Sequence, residues 1–332
     1  MRYVQLGPTN VRVSTFCLGT MMFGAKTDRD ASIAITRHAI DAGVNFIDTA
    51  DVYAKTDTES ILGDALVGVR DRVVLASKGG MKVGEGPNDI GLSRFHLVRA
   101  VENSLKRLKT DRIDLYYLHW PFESLHLDET LRTLDDLVRA GKILYPACSN
   151  FPAWLFVRAN WLAERGRYAP LVCGQYPFNL IERGIEVEVL PMTHALGLGV
   201  CIYRSLAIGT LTGKYIDNVP KETRGEDDKR IVDWMTRYGE GVRKLADFAK
   251  TLDLTAADVA NAWVLGAPGV SSVIVGISQL DQLKANLANW DRATLTPEQR
   301  ATVTGLFPTE VKEETGGGFG KWRRSYDIGA AS

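Results

Sequence analysis

Three short apolar runs, each ending in a polar side chain, constrain the fold of this chain more than any other feature. Residues 46–48, 73–78 and 113–119 have the composition of buried strands and end in an Asp, a Lys and a His. With a first strand at residues 16–19, eight such runs alternate with helical stretches, and the later seven end near Asp48, Lys78, His119, Asn150, Gln175, Leu206 and Gly276. This alternation in a chain of 332 residues predicts a (β/α)8 barrel that forms a single domain over residues 1–332.

The sequence does not favour the other common α/β architecture, a doubly wound dinucleotide-binding sheet. That fold carries Gly-x-Gly-x-x-Gly after its first strand, and this chain has no such motif there. Helices are predicted over residues 94–108, 129–142 and 153–166. Residues 3–7 and 11–14 are predicted to form a β-hairpin that closes the bottom of the barrel.

The strand-end side chains, together with Tyr53, point to proton donation to a carbonyl group. In a parallel barrel the C-terminal ends of the strands form one rim, where catalytic residues lie. Tyr53 lies five residues after Asp48, in a polar turn that can bring its phenol over that rim. A phenol has a pKa of about 10, so it donates a proton near neutral pH only when a cation such as Lys78 assists it. Each side chain alone has a structural interpretation, and their recurrence in phase favours the catalytic one.

The chain resembles the aldo-keto reductase family, near its bacterial and potassium-channel β-subunit-like branch. That family has a catalytic tetrad of an Asp, a Tyr, a Lys and a His, which Asp48, Tyr53, Lys78 and His119 match. The resemblance runs from residues 18–24 to the strand at 273–276 and the helix after it. It implies reversible NAD(P)H-dependent reduction of an aldehyde or ketone, with Tyr53 as the proton donor. Lys78, held by Asp48, would lower the pKa of the phenol, and His119 would orient the carbonyl.

The resemblance also implies that strand-end residues and the loops after them hold NADP(H) or NAD(H). The matching positions are Gly19, Thr20, Met21, Asp48, Ser149, Asn150, Gln175, Tyr203, Arg204, Ser205, Leu206, Gly209, Lys214, Gly276, Ser278, Gln282 and Asn286. Ser149, Asn150 and Gln175 would bind the carboxamide of the nicotinamide, and Tyr203 would stack on its ring. From the residues alone, Ser149 and Asn150 are equally a helix N-cap, and Tyr203 is equally a core residue.

Two features of these cofactor positions depart from the family pattern. Arg204 and Ser205 replace a more usual Ser and Pro in the pyrophosphate loop, where Arg204 either adds a phosphate contact or disturbs the loop. Many relatives carry Arg or Lys at the position of Ser278, where it pairs with the 2′-phosphate of NADP. The serine therefore leaves NAD(H) open beside NADP(H).

The substrate and two polar segments complete the expected site. An apolar, aromatic substrate slot is predicted from Met22, Phe23, Tyr53, His119 and Trp120, with packing as the alternative role for Trp120. Residues 217–238, between the seventh strand and its helix, are predicted to fold over the cofactor; the alternative is a mobile surface loop. The tail, residues 315–332, is predicted to be flexible, and it either reaches the pocket mouth or frays.

Composition favours a small partner. The 40 basic and 40 acidic residues leave no net charge to attract nucleic acid or an anionic membrane, so a small carbonyl or alcohol substrate fits better. The oligomeric state stays open. The four cysteines lie in apolar runs without metal-ligand spacing and are predicted to be reduced core residues. With no leader pattern and no apolar run of about 18 residues, a cytoplasmic location is expected.

Two rival functions follow from the same pattern. A dinucleotide-sensing binding module with little turnover is the first, because potassium-channel β subunits share the fold and loop pattern of the family. A metal-dependent barrel enzyme is the second, and it requires clustered His and carboxylate ligands at strand ends. Of the five histidines, His119 is the one that ends a clear strand, so no metal site is predicted.

Overall fold

A closed barrel of eight parallel strands forms the centre of the molecule. The computed structural model describes residues 1–122, 126–216 and 228–308. The strands are β1 (Tyr3–Gln5), β2 (Arg12–Ser14), β3 (Phe16–Gly19), β4 (Phe46–Asp48), β5 (Val74–Gly79), β6 (Ile113–Leu118), β7 (Ile143–Ser149), β8 (Cys173–Pro177), β9 (Gly199–Tyr203) and β10 (Val270–Gly276). Strands β3 to β10 follow one another around the barrel, and β10 pairs with β3 to close it. The prediction of a (β/α)8 barrel is confirmed.

Helices surround the barrel, and their ends follow local sequence signals. They are α1 (Arg29–Asp41), α2 (Asp57–Ala65), α3 (Arg94–Leu108), α4 (Leu127–Arg139), α5 (Ala153–Gly166), α6 (Val189–Ala195), α7 (Lys229–Thr251), α8 (Ala256–Leu265), α9 (Leu280–Trp290) and α10 (Pro297–Gly305). Helices α3 and α5 match the predicted bounds at both ends. Helix α4 begins two residues earlier than predicted and ends three residues earlier, because Gly141 turns the chain with a φ of 70°.

Two apolar layers hold the barrel together. Side chains of alternate strand residues, such as Phe46, Leu115 and Cys201, fill its interior, whereas Leu75 and Tyr116 pack outward beneath the helices. All six residues of β6 are buried. Burial on both faces explains why the strands read as continuous apolar runs in the sequence.

The N-terminal hairpin lies across the bottom of the barrel, as predicted. Strands β1 and β2 pair antiparallel, and Leu6 and Val13 pack against the interior side chains Cys17 and Phe46. Gly7 turns with a φ of 51°, and a Cβ there would lie 2.5 Å from the Val172 carbonyl oxygen. Only glycine therefore lets the hairpin approach the barrel this closely.

The cysteines behave as predicted. Cys17, Cys148, Cys173 and Cys201 are all buried and carry free thiols. The sulfur atoms of Cys173 and Cys201 lie 3.6 Å apart inside the barrel. Burial raises the pKa of the Cys17 thiol and of the Cys148 thiol, so these two act as small apolar groups.

Two boundary predictions need correction. Strand β9 ends at Tyr203 and not near Leu206, because Arg204 adopts a left-handed conformation with a φ of 58°. Residues 229–238, predicted as part of a long polar loop, form the start of α7, whose N-cap is Asp228. The rest of that loop, residues 217–227, and the tail, residues 315–332, lie outside the described residues. Within the described part of the chain, no helix is both long enough and apolar enough to cross a membrane.

Candidate active site

The four predicted catalytic residues meet at the C-terminal rim of the barrel. Asp48 is the last residue of β4, Lys78 lies near the end of β5, and His119 directly follows β6. Backbone bonds fix this rim: the His119 N–H donates to the Gly79 carbonyl at 2.9 Å. Tyr53 begins a tight turn five residues after Asp48 and brings its hydroxyl to within 3.2 Å of Lys78 Nζ.

Lys78 is the centre of the arrangement. Its side chain is buried, and Nζ donates to Asp48 Oδ1 at 2.5 Å, to the Thr49 carbonyl at 2.7 Å and to the Tyr53 hydroxyl. These three contacts use all three N–H donors of an ammonium group. Burial alone would lower the pKa of Lys78, but the charges and hydrogen bonds of Asp48 and Tyr53 outweigh it and raise the pKa. The amine therefore stays positively charged beside the phenol.

The two other groups at the pocket are neutral at physiological pH. Burial raises the pKa of Tyr53. The nearby charge of Lys78 acts to lower this pKa, but its effect is smaller than that of burial. The sequence-based expectation that Lys78 lowers the phenol pKa therefore describes the direction of one contribution and not the net result. Burial, followed by the charge of Lys78, lowers the pKa of His119 to about 3. The His119 ring stands at 81° to the Tyr53 ring, with their centroids 6.1 Å apart.

A strained turn carries Tyr53 into this position. Ala54, Lys55 and Thr56 follow it with φ angles of 45°, 54° and 82°, all in the left-handed region. Three consecutive non-glycine residues in that region cost roughly 1–2 kcal/mol each. The packing of Tyr53 before the turn and of α2 after it must hold this strain.

The predicted carboxamide-binding residues form a hydrogen-bonded chain that leads to Asp48. Gln175 Nε2 donates to Asp48 Oδ2 at 2.8 Å, and Ser149 Oγ donates to the Gln175 carbonyl at 3.0 Å. Asn150 Nδ2 donates to Ser149 Oγ at 2.9 Å, and Asn150 Oδ1 accepts from the Tyr203 hydroxyl at 2.8 Å. The alternative that Ser149 and Asn150 cap a helix is wrong, because the N-cap of α5 is Pro152.

The loop after β9 places two cations beside the rim. Arg204 is exposed and lies 3.7 Å from Glu182, and its carbonyl accepts a hydrogen bond from Asn179 at 3.0 Å. Lys214 is exposed and folds over Gly209, where a Cβ would lie 3.0 Å from its Cε. The intervening Ser205 is buried and Leu206 is half-buried.

The predicted adenosine-binding residues cluster after β10. The Ser278 N–H and Oγ both donate to Gln282 Oε1, at 3.0 and 3.3 Å. Gly276 is exposed, and Asn286 is half-buried one turn further along α9. Thr27 Oγ1 donates to the Ser278 carbonyl at 3.1 Å, which ties this cluster to the loop after β3.

The loop after β3 separates into site and core residues. Thr20 is buried, and its Oγ1 donates to the Asp48 carbonyl at 2.9 Å; Gly19 pairs with Asp48 in the sheet. Met21 is 49% exposed and Met22 is half-buried. Phe23 has no exposed area and lies in the core, so the structure corrects its assignment to the substrate slot. The Phe23 carbonyl accepts a hydrogen bond from Thr58 Oγ1 at 2.8 Å, which ties this loop to α2.

Sequence reasoning missed several groups at this rim. The Thr49 carbonyl, which holds Lys78, is a backbone atom and has no sequence signature. Thr210 Oγ1 and Tyr215 Oη are buried without a hydrogen-bond partner among the described residues, as are His119 Nδ1 and Trp120 Nε1. Thr210 and Tyr215 lie within residues 203–215, the expected pyrophosphate loop. The family pattern of that segment points to its glycines and its lysine and not to these two side chains. Within the described ranges, no three His, Cys, Asp or Glu side chains are grouped to hold a metal ion.

Comparison with known proteins agrees with this geometry. The sequence model of the "Aldo/keto reductase family" matches residues 15–307. The chain is 39% identical to "Uncharacterized oxidoreductase YrpG" of Bacillus subtilis, over 93% of this chain and 96% of that protein. It is 35% identical to a "Probable voltage-gated potassium channel subunit beta" of Oryza sativa (94% and 98%) and 32% identical to "Aldo-keto reductase YhdN" of B. subtilis (95% and 96%). The chain therefore belongs to the aldo/keto reductase family.

Proposed function

We propose that this protein catalyses the reversible reduction of an aldehyde or ketone with a nicotinamide cofactor, and that Tyr53 is its general acid. Family membership supports carbonyl reduction in general. The observation that carries the specific proposal is the position of Lys78 Nζ, 2.5 Å from Asp48 and 3.2 Å from the Tyr53 hydroxyl. A buried ammonium held beside a phenol stabilises the phenolate that remains when the phenol gives its proton to a carbonyl oxygen.

The residues at the rim fit a nicotinamide dinucleotide. Ser149, Asn150 and Gln175 present donors and acceptors suited to a carboxamide, and Arg204 and Lys214 present positive charge suited to a pyrophosphate. Buried polar atoms without a partner, at Thr210 and Tyr215, are costly unless a ligand or water binds them. When bound, the cofactor supplies the hydride that the carbonyl carbon receives.

The residues then have separate roles. Tyr53 donates its proton to the carbonyl oxygen, and Lys78 stabilises the resulting phenolate. Asp48 keeps the ammonium in place, and Gln175 in turn holds Asp48. Because its pKa is lowered to about 3, His119 acts as a neutral hydrogen-bond donor that orients the carbonyl. Met22 and Trp120 flank the expected substrate position.

A Tyr53→Phe variant tests the general-acid assignment. We expect kcat for a panel of small aldehydes and ketones to fall about 10³-fold, while the dissociation constant of the cofactor is unchanged. Tyr168→Phe is the matched control, since Tyr168 lies on the outside of the barrel against Arg132. Undiminished turnover in Tyr53→Phe would contradict the assignment.

We further propose NADP(H) as the preferred cofactor, with NAD(H) as the alternative. Ser278, which bonds to Gln282 at the expected adenosine end, is not basic, and this is the reason NAD(H) stays the alternative. Fluorescence titration of the protein with NADPH and with NADH decides between them. A Ser278→Arg variant should strengthen binding of NADPH relative to NADH, because a guanidinium pairs with the 2′-phosphate.

A dinucleotide-sensing module is the second candidate function. The 35% identity to a protein named as a probable channel subunit supports it. The same titration separates the two candidates when it is followed by the carbonyl panel. Tight binding with turnover supports the reductase, and tight binding without turnover of any substrate supports the module.

A further inference from the structure

A second group of ionisable side chains lies on the outer face of β5, behind the catalytic lysine. Ala76 and Lys78 face the barrel interior, so Ser77 and Gly79 face outward, toward α2 and α3. Glu59 of α2, Arg107 of α3, Tyr116 of β6 and Asp51 meet at this face. We call these four residues the outer cluster.

Glu59 is fully paired within the outer cluster. It has no exposed area, and it accepts from Ser77 Oγ at 2.6 Å and from Arg107 Nε at 2.8 Å. Arg107 Nη2 lies 2.7 Å from the same carboxylate. The guanidinium therefore pairs with Glu59, and its Nη2 also donates to Ser104 Oγ at 3.3 Å.

Asp51 is the acid that lacks a partner. It is 1% exposed, and its backbone N–H donates to the Lys78 carbonyl at 3.1 Å. Neither side-chain oxygen has a hydrogen-bond partner among the described residues. The hydroxyl of Tyr116 is likewise buried without a partner, and it lies 2.0 Å from where a Cβ on Gly79 would be. A buried carboxylate without donors is much less stable than the neutral acid.

The charges around Asp51 favour the protonated form. Burial, followed by the negative charge of Glu59, raises the pKa of Asp51 to about 8. Arg107, a poorly placed N–H of Val52 and Lys78 act in the opposite direction. The neighbouring phenols of Tyr53 and Tyr116 complete the groups that face it, and a charge on Asp51 raises the pKa of both.

We propose that Asp51 is a positioning residue that holds a proton at neutral pH, and that loss of this proton slows carbonyl reduction. The proton leaves to solvent, and the new carboxylate opposes the negative charge that forms on the Tyr53 oxygen as Tyr53 protonates the substrate. The effect on turnover rests on the function proposed above. For charges several ångströms apart in a protein interior, we expect a change of roughly tenfold.

The experiment compares the wild-type protein with Asp51→Asn, which mimics the neutral acid. The kcat of aldehyde reduction is measured between about pH 6 and about pH 10. The wild type should decline roughly tenfold with a midpoint near 8, whereas Asp51→Asn should stay level until Tyr53 itself titrates. Asp247→Asn, at an exposed acid on α7, is the control and should behave as the wild type.

Two titrations decide the inference without any turnover. The Asp51 carboxyl, assigned by its absence in Asp51→Asn, is followed by carbon NMR and should titrate near pH 8. The pKa of Tyr53, from the tyrosinate absorbance lost in Tyr53→Phe, should be lower in Asp51→Asn than in the wild type. Titration of Asp51 below about pH 6, or an unchanged Tyr53 pKa, would overturn the proposal. If neither the wild type nor any variant reduces a carbonyl, the proposed function is wrong. The titrations of Asp51 and Tyr53 still test the protonation of Asp51 in that case.

Discussion

The two faces of β5 carry two clusters of ionisable side chains, and the clusters differ in how completely their buried charges are paired. On the inner face, Lys78 has a partner for every N–H, and Asp48 accepts from both Lys78 and Gln175. On the outer face, Glu59 accepts from the Arg107 guanidinium, whereas neither side-chain oxygen of Asp51 has a hydrogen-bond partner among the described residues. Burial alone therefore does not decide whether an acid is charged. The number of hydrogen-bond donors within its reach decides this as well.

The largest effect is expected when the positive charge on the inner face, Lys78, is removed. Lys78→Met should lower kcat for carbonyl reduction about 10³-fold, because the phenolate of Tyr53 then forms beside Asp48 without a compensating charge. Steady-state kinetics with saturating cofactor measures the loss. Lys82→Met is the control, since Lys82 is an exposed lysine four residues along the chain that pairs with Glu85. Equal activity in both variants would contradict a role for the inner cation.

Replacing Glu59 tests how much its ion pair with Arg107 on the outer face stabilises the protein. Glu59→Gln leaves the half-buried Arg107 without its counter-charge and should lower the free energy of unfolding by about 3 kcal/mol. Urea denaturation measures this loss. Glu85→Gln, at a side chain that is 96% exposed, should change stability by less than about 1 kcal/mol. A loss in Glu59→Gln no larger than in that control would mean that the outer pair is solvated.

The neutral imidazole of His119 should make the free energy of unfolding depend on pH in the acid range. The pKa of His119 is about 3 in the folded protein against 6.5 for the free group, so the unfolded chain binds the extra proton between these values. Stability should therefore fall as pH drops below 6.5, by about 3 kcal/mol near pH 4 from this residue. The difference in unfolding free energy between wild type and His119→Asn should shrink over that window. His194→Asn, at an exposed histidine, is the control variant for this comparison.

The smallest effect concerns the turn that joins the two clusters. Thr56 has a φ of 82°, a conformation that a β-branched residue adopts at a cost and glycine adopts freely. Thr56→Gly should raise the free energy of unfolding by about 1 kcal/mol. Thr302→Gly in the middle of α10 should lower it by a similar amount, because glycine weakens a helix interior. A loss of stability in Thr56→Gly would show that the turn carries no strain.

The sequence was enough to predict the inner cluster but not the outer one. Asp48, Lys78 and His119 each end an apolar run, and strand ends in a parallel barrel share one rim. Helix bounds such as those of α3 could be read from its cap residue Ser93 and from the helical pattern that ends at Leu108. These signals are local in the chain, so they can be recognised from the sequence alone.

The outer cluster could not be predicted, because it depends on which strand side chains face into the barrel and which face the helices. The barrel strands are buried on both sides, so their sequence does not reveal that Ser77 and Tyr116 face outward while Lys78 and Tyr117 face inward. Phe23, in the loop after β3, is predicted to line the substrate slot, but its ring has no exposed area and lies in the core. The partnership of Glu59 with Arg107 joins residues 48 positions apart and has no short-range pattern.

The hydrogen bonds of Lys78 also decide which chemistry this pocket avoids. An amine that meets an aldehyde ordinarily condenses with it to an imine, and that reaction requires an unprotonated nitrogen with a free lone pair. Lys78 keeps its proton, and each N–H is held by Asp48, Thr49 or Tyr53. On the proposed function, an aldehyde bound beside this lysine is therefore not trapped on it as an imine.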